Sequence, residues 1–158
     1  FNYNYGDLSM THDLLASPRT KNGLSDAGAH CGAIADGGMP TFMLTHWVRD
    51  RKRGPRHSLE YMVHRQTRDT ALVFGLKDRG LIAPGLRADL NLIDYDRLTV
   101  HVPTVSHDLP AGGRRLHQSA DGYVATIVSG VITYREGQPT GELPGRLVRG
   151  TQQAALAA

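Results

Sequence analysis

Residues 24–32 read Leu-Ser-Asp-Ala-Gly-Ala-His-Cys-Gly, and they set three reactive side chains within six positions. Asp26 can accept and return a proton, His30 can do the same near neutral pH, and Cys31 offers a thiol. Around them stand Ser25, Ala27, Gly28, Ala29 and Gly32, which contribute almost nothing to a core. Small residues permit close backbone approach and unusual dihedrals. Such a stretch is either a plain turn or the floor of a site, and the residues alone leave both open. His30 reads as a substrate contact or as a loop histidine bonded to backbone. Cys31 reads as a pocket residue or as a small buried hydrophobe.

The other histidines do not build a metal site by spacing. His12, His46, His57, His64, His101, His107 and His117 complete a set of eight, and none forms an His-x-His pair. His57 and His64 are seven residues apart, two helical turns, which is too far to chelate one ion. A catalytic zinc ion needs about three protein ligands plus water. The run Arg49-Asp-Arg-Lys-Arg-Gly-Pro-Arg56 is basic, but no aromatic interleaving or finger pattern accompanies it. It reads as a solvated loop, and no nucleic-acid partner is expected. Trp47 beside it reads as core.

The elements that would carry these residues come next. The stretch from Asp7 to Leu15 is helical in pattern and stops before Pro18. Residues 21–25 predict a short strand with Asp26 at its end. Residues 39–49 predict a helix, with Pro40 in its first turn. Residues 58–74 carry the strongest helical pattern, with Ser58 as N-cap and Gly75 as stop. Beyond Lys77 the pattern changes. Residues 88–93, 123–128 and 131–135 predict strands, the last two joined by a two-residue turn at Ser129-Gly130. Residues 151–158 predict a tail without order.

The chain has 158 residues, enough for a real core, and a net charge of +3. One cysteine excludes an internal disulfide, which fits a reducing cytoplasm. No apolar run reaches a membrane span of about 18 residues, so no membrane partner is expected. The first residue is Phe1 rather than Met. That suggests a processed protein, a chain shortened by design, or a piece of something longer, of which the last is the expectation.

Taken in order, LSDAGAHCG, PTFMLTHWVRDR, TALVFGL, KDRGLIAPGLRADLNLIDYD and IVSGVITYREGQPTGELPGRLVRG resemble the C-terminal part of the amidohydrolase superfamily. The stretch from Gly80 to Leu90 marks the superfamily broadly, while SDAGAH and PTFML are similar to the N-acyl-D-amino-acid deacylase (D-aminoacylase) branch. The resemblance implies an α/β fold: the end of a metal-dependent (β/α)8 barrel over residues 1–77, then strands of a composite β-sandwich over 78–150. It implies that residues 21–25 are the eighth barrel strand and that Asp26 is the catalytic acid–base, also touching the metal. His30 would bind substrate. It implies Zn2+ in the complete enzyme, with the remaining ligands outside this chain. The expected partners are a small-molecule N-acyl amino acid and the remainder of the same polypeptide, with homo-oligomer formation left open. The alternative is a non-catalytic accessory or partner-binding module derived from an amidohydrolase.

Overall fold

The computed structural model describes residues 7–153 apart from 24, 27 and 29. The architecture is α+β: helices, then antiparallel sheets, with no barrel among the described residues. Two compact units divide the chain. One holds residues 1–23, 43–87 and 147–158, and the other holds 24–42 and 88–146. The division falls inside a helix, between Phe42 and Met43.

The first unit is helical. Helix α1 spans Ser9–Ala16, and the Asp7 carboxylate accepts from the Ser9 amide at 2.9 Å just before it. Helix α2, Met39–Leu44, runs without a break into a π-helical stretch, Thr45–Asp50, whose last turn the Arg51 amide closes onto the His46 carbonyl. Ser58 caps α3, Leu59–Gln66, by accepting from the Tyr61 amide at 3.2 Å. The single helix expected over 58–74 is in fact two, because Thr67 leaves helical geometry at φ −120°, ψ −87° before α4, Arg68–Val73. The Thr67 hydroxyl donates to the Val63 carbonyl at 2.7 Å, a local bond that competes with the helix and bends it. After α4 the Leu76 amide returns to the Ala71 carbonyl at 2.8 Å, a helix stop at the expected Gly75. Met43, Leu44, Trp47, Met62 and Ala71 are the buried apolar residues here, Met62 fully so.

The strand expected at residues 21–25 is not formed by its described residues, 21–23 and 25. A strand exists only by pairing, and among the described residues no strand pairs with it. Side chains of α3 and α4 hold the stretch 15–22 instead. Tyr61 Oη donates to the Leu15 carbonyl at 2.9 Å. Arg65 Nη2 donates to the Thr20 and Ser17 carbonyls at 2.5 and 3.4 Å, and its Nη1 to Asp69 at 2.6 Å. Asp69 in turn accepts from Lys21 Nζ at 2.5 Å.

The second unit is mainly sheet. Strands β1 (Leu90–Ile93), β6 (Tyr123–Val128), β7 (Val131–Arg135) and β8 (Gln138–Pro139) form an antiparallel sheet in the order β1-β6-β7-β8. The hairpin expected at Ser129-Gly130 is present, with φ 52° and 81°, the positive pair that a two-residue turn requires. Five strands went unforeseen: β8 on the edge of this sheet, β2 (Thr99–Val100), which pairs with β5 (Ala120–Asp121), and β3 (Thr104–Leu109), which pairs with β4 (Gly113–His117). On the latter ribbon Arg115 grips Asp108 through two bonds of 2.7 and 2.6 Å, which pull the Asp108 carboxyl down to about 2. Leu98 and Ala125 are buried in this unit. Among the described residues no helix is long and apolar enough to cross a membrane.

Candidate functional site

The loop that carries Asp26, His30 and Cys31 opens the second unit and leads through a 3-10 turn, Asp36–Gly38, into α2. Asp26 is exposed, at φ 41°, and His30 is exposed, at φ 56°. Both lie in the left-handed region, where an L side chain pays a steric cost and where aspartate and histidine are over-represented. Between them Gly28 has φ 127°. Asp26 and His30, two groups that can move protons, stand four residues apart, each at positive φ and exposed.

The far side of the loop is anchored. The His30 carbonyl accepts from the amides of Ala33 and Ile34 at 2.8 and 3.0 Å, a tight turn. The Cys31 carbonyl accepts from the Leu116 amide at 2.7 Å, which fastens the loop to β4. Cys31 itself is a half-buried free thiol. The small residues of the sequence thus serve both readings: they make a turn, and the turn displays a carboxylate and an imidazole to solvent.

No group of three or more His, Cys, Asp and Glu is arranged to hold a metal ion among the described residues. The described side chains therefore do not by themselves make up the ligand set that the implied zinc needs.

A second cluster, in the helical unit, was not visible in the sequence. His12 stacks on His57 with ring centroids 4.2 Å apart and an 8° tilt, and His57 stacks on Tyr61 at 5.2 Å. His46 meets Trp47 edge-on at 5.2 Å. Arg51, from the basic run, lies 4.6 Å over the Trp47 ring and donates to the Asp7 carbonyl. So the run 49–56 is not uniformly a solvated loop. Arg51 is 5% exposed, while Lys52, Arg53 and Arg56 face water. Burial lowers the pKa of His46 and His57, and the Arg51 cation adds to both effects. Spacing could not show this cluster, because its members come from three separate stretches.

An amidohydrolase family model matches residues 9–134. An uncharacterized protein of Mycobacterium tuberculosis is 35% identical over 140 residues, which cover 85% of this chain and 23% of that protein. A dihydroorotase of Lactobacillus johnsonii is 27% identical over 142 residues, 84% of this chain and 32% of its own. A dihydroorotase of Lactobacillus acidophilus is 25% identical over the same shares. The chain thus spans between 23% and 32% of the length of these relatives. No solved structure gives a significant match.

Proposed function

Since the chain belongs to the amidohydrolase family, we propose that it is the C-terminal portion of a metal-dependent hydrolase that deacylates N-acyl-D-amino acids, and that Asp26 is its acid–base residue. The observation that carries the reading is Asp26 itself. A carboxylate held at φ 41° on an exposed, small-residue loop is an uncommon arrangement, and strained backbone of this kind clusters at active sites. The substrate class is supported by the SDAGAH and PTFML segments, which are similar to the deacylase branch.

In this reading water attacks the acyl carbon. Asp26 takes the water's proton as the C–O bond forms and returns it to the amide nitrogen as the C–N bond breaks, leaving a carboxylic acid and an amine. His30, four residues on, would contact substrate. The zinc's ligands belong to the remainder of the polypeptide, in a barrel of which this chain supplies the last part. The 158 residues alone are then inactive.

The test is turnover by the full-length polypeptide on N-acetyl-D-amino acids, their L counterparts and dihydroorotate, with Asp26→Asn as the variant. Removing a positioned acid–base group typically costs about 10²–10⁴-fold, and that fall in kcat is expected with metal content unchanged. Near-normal kcat in the Asn variant would remove Asp26 from the chemistry. Cleavage of dihydroorotate alone would move the substrate class to the cyclic amides.

A further inference from the structure

We propose that the stacked His12–His57 pair is an acid-released latch that holds helix α1 on the helical unit. Every residue involved belongs to that unit. Helix α1 is not held by an apolar stripe. None of its residues is buried, and Met10 and Leu14, one turn apart, are 46% and 52% exposed. A helix of eight residues does not persist in water alone, so α1 depends on what it touches. The Asp7 carbonyl just before it accepts from Arg51 Nη2 at 3.3 Å. The His12 ring stacks on His57 with centroids 4.2 Å apart. The Leu15 carbonyl accepts from Tyr61 Oη at 2.9 Å. Of these partners only the imidazoles change charge near neutral pH.

Two features make the stack intolerant of a proton. The first is that His57 Nε2 is buried with no hydrogen-bond partner among the described residues. A proton there would place a charged N–H in the interior without an acceptor, which is costly. The second is the company the rings keep. They lie nearly parallel, at 8°, so charge on both would set like against like at contact distance. From the stretch after α2, the buried Arg51 guanidinium sits 4.6 Å over Trp47, beside His46 and Asp50. From α3, the buried Arg65 guanidinium lies 5.9 Å over the Tyr61 ring, and that ring stacks on His57. The carboxylates offset this only in part. Asp69 of α4 is engaged by Arg65 and Lys21. Asp13 pairs with His12 at 3.3 Å, but its side chain is 84% exposed and water screens it. Burial, then His12, Arg51 and Arg65, accordingly lower the His57 pKa. A lowered value in the docked state means that docking is secure above about pH 6.5 and weakens as pH falls below it. Swinging α1 away separates the rings and admits water to both. It also uncovers Trp47, whose ring centroid is 6.4 Å from that of His12.

The experiment is amide hydrogen exchange, read by mass spectrometry, on the full-length polypeptide at about pH 7 and about pH 5.5. Rates are corrected for the intrinsic pH dependence of exchange. Amides of residues 9–16 are expected to exchange about eightfold faster at the lower pH. That is the factor for one histidine that stays neutral while docked and titrates at its ordinary value once released. Amides of residues 59–66 should change less than about twofold, because α3 stays in place when α1 leaves. His57→Phe keeps a flat ring between His12 and Tyr61 and removes the titrating group, so the acid-induced rise at α1 should vanish. Exchange at α1 that does not respond to pH would overturn the latch. An equal rise over α1 and α3 would do so too, since it reports loosening of the whole unit. A rise undiminished in His57→Phe would place the sensitivity in another group and overturn it equally. If His57→Phe does not fold, His12→Phe carries the same comparison from the other side of the stack, with the same expected loss of the rise.

Discussion

Gly80 belongs to the glycine-punctuated stretch that marks the superfamily, and its surroundings say why no other residue serves there. Its φ is +83°. A Cβ would stand 2.9 Å from Arg68 Cα and 3.0 Å from Arg68 N and the Thr67 carbonyl carbon, all main-chain atoms at the bend before α4. Arg68 then closes the loop by donating to the carbonyls of Lys77 and Arg79 at 3.1 and 3.0 Å. Gly80→Ala should cost about 2 kcal/mol or more, from the positive φ and the backbone clash together. Gly145→Ala, where nothing lies within 4 Å and φ is not positive, should stay within about 0.5 kcal/mol. Thermal unfolding of both variants checks this, and equal melting of the two would contradict it. Residues of this kind were legible in advance, because a motif glycine announces a backbone demand. Asp26 was legible as a candidate for the same reason, through its small neighbours. The roles of Tyr61 and Arg65 in holding residues 15–20 were not, since they bond main-chain oxygens more than 40 positions away, and no side-chain pattern records a carbonyl.

Helices and hairpins with local signals came through: the cap at Ser58, the stop at Gly75, and the paired strands around Ser129-Gly130. The strand over residues 21–25 failed, because strand formation depends on a neighbour that the local sequence does not contain. The short strands of the 99–121 ribbon were hidden by their exposed, polar faces, which lack the alternation that identifies a half-buried strand. The histidine stack carries a prediction at this scale. His57 is depressed below its ordinary value by burial first, then by the His12 ring and the Arg51 and Arg65 cations. Asp13 pairs with His12 at 3.3 Å, and Asp69 pairs with Arg65 at 2.6 Å. His46 is depressed by burial and Arg51, against a smaller opposing pull from Asp50. A histidine with a lowered folded pKa binds its proton more readily when unfolded. Stability should therefore fall as pH drops below about 6.5, through the depressed folded values. The Arg-paired aspartates lose their contribution only in stronger acid, a separate window. His57→Phe keeps the stack on His12 and Tyr61 and removes the titration. Its melting temperature should change less between pH 7 and about 5.5 than that of the parent. An equal or steeper drop in the variant would assign the acid sensitivity elsewhere.

Across the whole chain, the helical unit is discontinuous and is finished by the C-terminal segment. The Gln152 amide donates to the Gly75 carbonyl at 2.9 Å, and its carbonyl accepts from the Lys77 amide at 3.0 Å, forming a parallel bridge beside Leu76. Thr151 packs over Gly75, where a Cβ would meet its Oγ1 at 3.0 Å and its Cγ2 at 3.1 Å. Truncation after Arg146 should speed amide exchange at residues 71–77 and leave the β6–β7 hairpin as protected as before. Unchanged exchange at the helical residues would show that the segment adds nothing.

That strap also sets an order in time. A ribosome releases the chain from its N-terminus, so α1 to α4 emerge well before their last partner is made, and the whole sheet unit is synthesised in between. Domains that fold as contiguous pieces can settle as they appear. This one completes the Gly75 turn only once residues 151 and 152 leave the exit tunnel, and a chain stalled or cleaved before them would leave that turn for proteases and chaperones to find.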